Sequence, residues 1–221
     1  MDKLRMRFEK TGRAVYISHL DLMHTLQRAF SRAGFRIKYS EGYNPHPVIS
    51  IALPLSVGTA SICELMDFRL VTEEEEQAVA ERLNCVLPEG IHILEVYPAV
   101  RKTVELKWLK LDGRMEYDKL AVGQAAAALR AFFTQDALVI SKKSKRGFSD
   151  FALIPAIREL SFSPEEKTKT VKLSMTVSAQ DPTFNPDLLC EALRQKQQWL
   201  EPDFAAYTRT ETYDAEMNIF R

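Results

Sequence analysis

Lys3-Leu4-Arg5-Met6-Arg7-Phe8-Glu9, together with the run from Ser18 to Gly34, decides how this 221-residue chain is read. The first stretch alternates charged with apolar residues, the period of a half-buried strand. In the second, Ser18 is a good N-cap and Asp21 stands three residues on, the spacing of a capping box. Leu22, Leu26, Ala29, Phe30 and Ala33 then fall on one helical face, and Gly34 supplies the stop. A half-buried strand leading into an amphipathic helix is the opening of a β-α-β unit.

Outward from that opening, a short strand is expected near residues 36–39 and further strands at 48–53 and 62–71. Thr72-Glu73-Glu74-Glu75 caps a second helix running to about Cys85, Pro88-Glu89-Gly90 ends it, and 91–97 forms a strand. The second half repeats the order. Residues 103–111 alternate like a strand, Asp112-Gly113 reads as a turn, and 117–133 as a helix. Residues 138–142 and 170–179 are strand-like, and Asn185-Pro186 caps a helix to about Gln197 before a closing strand at 204–213. Phe151-Ala152-Leu153-Ile154 fits either a strand or a short helical turn. Each half reads β-α-β-β-α-β, so the expected fold is α+β, with two tandem ferredoxin-like domains. These would span residues 1–98 and 102–221, each long enough for its own core.

Apolar and charged fractions of 46% and 27% are those of a soluble globular protein, and no apolar run approaches bilayer length. The N-terminal alternation contains no signal-peptide core, so the expected location is cytoplasmic, without a membrane partner. Cys63, Cys85 and Cys190 are far apart and lack CxxC spacing, which argues against a disulfide framework, a metal site or an iron–sulfur cluster of the chain's own. Net charge is zero but unevenly spread: residues 1–60 hold nine Lys/Arg against four Asp/Glu, and 61–100 hold two against nine. That asymmetry fits a face suited to a polyanion, and it fits plain solvation equally.

Candidate functional residues gather in the first half. Tyr39-Ser40-Glu41-Gly42-Tyr43-Asn44-Pro45-His46-Pro47 cannot continue a helix or sit in a central strand, yet it carries two tyrosines and a histidine that a plain connector does not need. Asp21, Thr25, Arg28 and Arg32 line one side of the first helix, opposite its apolar face, and arginines so placed are good donors to phosphate. Ser18, His19 and Asp21 are expected near the floor of a pocket rimmed by this loop. His19 and His46 are the candidate general bases. His19 and His24 lack the i, i+4 spacing of helical zinc sites. Glu64 interrupts an apolar strand, and if it faces inward it needs a cation such as Arg28 or Arg32. Lys142-Lys143-Ser144-Lys145-Arg146-Gly147-Phe148 is the densest basic run, read either as a nucleic-acid backbone contact through Lys142, Lys143, Lys145 and Arg146 or as a charged loop. There is no GxGxxG, Walker sequence or nucleophile elbow.

The blocks Phe8-Glu9-Lys10-Thr11-Gly12, Tyr16-Ile17-Ser18-His19-Leu20-Asp21-Leu22-Met23, Gln27-Arg28-Ala29-Phe30-Ser31-Arg32-Ala33-Gly34 and the Tyr39 to Pro47 loop resemble the uncharacterised radical-SAM-linked proteins. These are bacterial proteins encoded beside, or fused to, a radical S-adenosylmethionine (SAM) protein. Leu55-Ser56-Val57-Gly58, Glu64, Leu83-Asn84 and Leu87-Pro88-Glu89-Gly90 fit the same pattern, whereas the match is much looser beyond residue 100. Tyr43 and Phe30 depart from the residues common in that family. The family carries no established reaction. The resemblance implies a radical SAM partner that holds the SAM and the iron–sulfur cluster, because this chain lacks CxxxCxxC and needs no cofactor of its own. Family members often lie near ribosomal-protein and ribonuclease genes, which points the substrate toward RNA, tRNA or rRNA among them. The expectation is therefore an accessory protein that positions RNA and is not catalytic alone. The alternatives are a metal-independent RNA-processing enzyme with a histidine base, and an adaptor that binds protein only.

Overall fold

The computed structural model describes residues 3–144 and 147–221, and among them it contains ten strands and four α-helices. None of these helices is long and apolar enough to cross a membrane. The chain divides into two compact units, Met1–Glu105 with Ile219–Arg221, and Leu106–Asn218. The return of the last three residues to the first unit was not expected from the sequence.

The first unit runs β1 (Leu4–Lys10), α1 (His19–Arg32), β2 (Ile49–Ile51), β3 (Ala60–Phe68), α2 (Glu76–Asn84) and β4 (Ile91–Pro98). Its strands lie in the order β4-β1-β3-β2, every pair antiparallel. The alternation in β1 sends Met6 and Phe8 into a core with Leu22, Leu26, Ala29 and Phe30 of α1 and Met66 and Phe68 of β3. Arg5 is buried too, gripping Asp67 of β3 through Nε and Nη2 at 2.6 and 3.1 Å. Ser18 does cap α1: its Oγ accepts from the Asp21 N–H at 3.1 Å and donates to the Asp21 carboxylate at 2.7 Å. The Thr72–Glu75 cap is different, because Thr72 donates to Glu74 and no side chain caps the start of α2.

The end of α1 sets the direction of the chain beyond it. Gly34 has φ +78°, its N–H bonds Ser31 O at 3.1 Å, and the Phe35 N–H bonds Phe30 O at 2.9 Å. This is a Schellman motif, and its usual apolar contact is present as an edge-on pair of Phe30 and Phe35 with centroids 6.3 Å apart. Phe35 is thereby turned into the core and the chain reverses at Arg36. Residues 36–39 do not form the full strand expected. They make isolated bridges, Ile37 to Leu70 and Tyr39 to Pro47, with backbone bonds from Lys38 to Arg69 and from Val71 to Arg36.

The second unit runs β5 (Trp108–Glu116), α3 (Val122–Phe133), β6 (Val139–Ser144), β7 (Gly147–Ala152), β8 (Ile157–Glu165), β9 (Thr170–Ser178), α4 (Asp187–Lys196) and β10 (Phe204–Tyr213). Four strands pair antiparallel in the order β10-β5-β9-β8, and β6 pairs with β7 as a separate hairpin. Two sequence expectations are corrected here. Asp112-Gly113 is not a turn but the middle of β5, where a Cβ on Gly113 would meet Ala206 O at 2.8 Å, so the glycine serves the close approach of β10. The strand at 138–142 belongs to the hairpin, and the strand beside β9 is β8. Residues 151–154 satisfy both readings, with Phe151 and Ala152 ending β7 and Ile154 opening a 3-10 turn.

Candidate functional site

The Schellman turn brings the second half of α1 face to face with the segment after it. Between them lies a cleft of about 700 Å³ lined by Gln27, Arg28, Ser31, Arg32, Phe35, Arg36, Ile37, Tyr39, Pro47 and Val71. Arg28 and Arg32 are one helical turn apart, and Arg36 joins them because Gly34 reverses the chain. Arg32 donates to Val86 O at 3.0 Å. Neither Arg28 nor Arg36 has a carboxylate within ion-pair reach among the described residues, and no acidic side chain lines the cleft. Phe35 is buried beneath Arg82, whose guanidinium lies 4.0 Å from the ring centroid. Tyr39 is the exposed aromatic of the lining.

The loop that supplies Tyr39 is closed on itself. Its backbone joins Ser40 N–H to His46 O at 2.8 Å, and the His46 N–H donates to Ser40 Oγ at 3.1 Å. Ser40 Oγ and His46 Nδ1 are 3.0 Å apart, and His46 Nδ1 lies 3.5 Å from Asn44 O. Gly42, at φ +126°, turns the tip, and Tyr43 there is fully exposed. Ser40 and His46 thus clamp the loop, and Asn44 contributes its backbone oxygen.

The remaining sequence candidates separate from the cleft. Ser18, His19 and Asp21 stand at the other end of α1. At 1.5 Å per residue, Ser18 is about 15 Å along the axis from Arg28, so it is not the cleft floor. Neither His19 nor His46 is in the lining. Glu64 faces inward, almost wholly buried, and its charge acts on Lys10. Lys10 is buried as well, with Nζ donating to Val15 O and Ile17 O, both at 3.2 Å. Burial lowers the Lys10 pKa and the Glu64 charge raises it, burial being the larger effect. In the second unit Lys142 lies 5.0 Å from the Phe151 ring centroid, and it lines another cavity with Phe148 and Asp187. Lys143 pairs with Phe148 in the hairpin register, and Lys145 and Arg146 fall outside the described residues.

Sequence reasoning found Arg28, Arg32 and Tyr39 but missed Arg36, Gln27 and Ser31. One local signal for Arg36 was present: the helix-stop Gly34 two residues before it marks where the chain turns away from the helix.

A family model described as "Uncharacterized protein conserved in bacteria (DUF2344)" matches residues 3–186, and the chain belongs to that family. No curated protein matches it.

Proposed function

We propose that this member of an uncharacterised bacterial family is an accessory protein that holds RNA in the Arg28–Arg36 cleft and positions it for a radical SAM partner. The carrying observation is the pair of cations, Arg28 and Arg36, without carboxylate partners in a cleft that also presents Tyr39. Guanidinium groups give phosphate paired, directional hydrogen bonds, and an exposed ring gives a base a stacking face. The partner assignment is supported by the family-like blocks of the first ninety or so residues, and SAM and the cluster belong to that partner. The observed strand orders support reading each unit as ferredoxin-like, the second carrying the β6–β7 hairpin as an insertion. A histidine-based RNA-cleaving enzyme is less well supported, because no histidine lines the cleft.

RNA binding measured by fluorescence anisotropy should weaken steeply as salt rises from about 50 to 200 mM. Arg28→Ala should reduce the slope of log K against log salt by about 0.7, the share of one phosphate contact on a single strand, and leave the Tm unchanged. Absence of salt-dependent binding to any cellular RNA refutes the reading.

The protein-only adaptor retains one specific support. Tyr16, Leu20 and Val57 expose apolar side chains, and a backbone bond from Gly58 N–H to Val15 O at 2.8 Å holds the Val57 loop beside the 3-10 turn that carries Tyr16. Pull-down of the partner with and without ribonuclease separates the two: capture that survives ribonuclease and ignores Arg28→Ala favours the adaptor.

A further inference from the structure

We infer that the cleft takes an unpaired nucleotide, its base stacked on Tyr39 and its flanking phosphates held by Arg28 and Arg36; this rests on the proposal that the cleft binds RNA. The cleft volume of about 700 Å³ falls in the range of small-ligand sites, roughly 300–1,000 Å³, which suits a short stretch of nucleic acid rather than a broad surface.

The aromatic inventory narrows the ligand further. Two aromatic residues line the cleft, and they are not equivalent. Phe35 is 3% exposed and covered by Arg82, so it offers no free face, whereas Tyr39 is 56% exposed. One open ring accommodates one base. A base in a duplex is stacked between its neighbours and presents no face to a side chain, so the ring selects for an unstacked base. The backbone that carries the ring is also held in advance. The Tyr39 to Pro47 bridge and the Ser40 to His46 bonds fix its backbone before any ligand arrives, which lowers the ordering cost of binding.

The two free guanidinium groups sit on different elements, Arg28 on α1 and Arg36 beyond the Schellman turn, so a strand entering the cleft meets cations from both walls. Arg32 is already engaged with Val86 O and contributes less. Tyr43, although more exposed than Tyr39, is not part of the lining and serves as an internal control.

The test compares a labelled single-stranded octauridylate with an RNA hairpin of the same charge, at one low salt concentration, using the full chain. The single strand should bind several-fold more tightly. Tyr39→Ala should weaken single-strand binding about fivefold or more, Tyr39→Phe should retain it, and Tyr43→Ala should leave it unchanged. Equal binding of hairpin and single strand, or no effect of Tyr39→Ala, overturns this inference while leaving RNA binding by the cleft in place. Absence of binding by both RNAs, or binding that does not weaken when the comparison is repeated at higher salt, overturns the RNA reading itself.

Discussion

Phe220→Ala is the substitution whose cost the structure defines most fully. Phe220 is completely buried although it is the next-to-last residue, and the Arg5 and Arg101 guanidinium groups lie 4.9 and 4.8 Å from its ring centroid. Arg5 is itself fully buried, holds Asp67 with two bonds and donates to Arg101 O at 2.9 Å; Lys3 reaches the same carboxylate at 2.6 Å. Truncating a buried phenylalanine costs about 3–5 kcal/mol. Loss of two cation–π contacts adds to this, at about 0.5–2 kcal/mol each. An opposing effect is specific to this site. Arg5 Nη1 has no hydrogen-bond partner, so water entering the space left by the ring would solvate a group that is now unsatisfied. Solvating that group is worth about 1–3 kcal/mol and roughly offsets the lost cation–π contacts, so the net expectation is the cavity cost itself, at least about 3 kcal/mol.

The assay is native-state hydrogen exchange of the amides of β1, which carries Arg5, and of β4 beside it, alongside urea unfolding followed by far-UV circular dichroism. A loss of about 3 kcal/mol corresponds to roughly a hundredfold faster exchange for amides that open only by unfolding. Phe220→Leu should recover part of the loss, since it refills volume without restoring the ring. Less than a tenfold change in exchange would show that the ring does not seal the Arg5–Asp67 pair and would refute the reasoning.

Tyr97 carries a buried hydroxyl with no partner, and burial raises its pKa from 10.0 to about 12 against the smaller lowering effect of Arg5. The folded state therefore keeps the proton that the unfolded chain gives up, so stability present below pH 10 is lost as pH rises toward 12; Tyr97→Phe should flatten that alkaline loss in pH-dependent melts and be neutral or slightly stabilising at pH 7. Gly90→Ala should be strongly destabilising in urea melts, because Gly90 has φ +86° and an added Cβ would stand 2.4 Å from Thr11 O. Ser18→Ala should cost about 1 kcal/mol in thermal unfolding through loss of the α1 cap, and Ser18→Asp should keep most of it.

Legibility in the sequence tracks the division between one-sided and special positions. The β1 alternation and the α1 stripe with its cap were read nearly to the residue, because their apolar positions recur at the period of the element, and β10 was placed to the residue; that Arg5 and Lys10 of β1 are buried as well could not be read from the alternation. β8 was missed because Phe162 is its one buried residue, and its Pro164 argues against a central strand. In the order β10-β5-β9-β8 it lies outermost, where proline and polar residues are tolerated. Gly113 misled for a related reason: a glycine after aspartate signals a turn in one sequence, while the cause here is the Ala206 carbonyl of a strand far along the chain. At the site, residues joined by local geometry were readable. The separation of Ser18 and His19 from Arg28 required only the helix rise, whereas the return of Phe220 to Arg5 had no local signal.

The arginines divide into those with a structural partner and those without one among the described residues. Arg5, Arg7, Arg82, Arg101, Arg114, Arg194 and Arg221 each reach a carboxylate. Arg32 has a structural reason without one, since it lies in the last turn of α1, where the helix dipole favours a cation by about 0.3–1 kcal/mol, and it bonds Val86 O. Arg28 has neither advantage. It stands one turn earlier, beyond the reach of the dipole effect, with Arg32 about 6 Å away, and two such cations in water repel by about 0.7 kcal/mol. On stability alone Arg28 is therefore neutral to slightly unfavourable, which is why Arg28→Ala should leave the Tm unchanged while weakening RNA binding. The same reasoning applies to Arg36, for which no carboxylate lines the cleft among the described residues. Two cations without a carboxylate partner among the described residues, both lining one cleft, are a placement that an anion between them would favour.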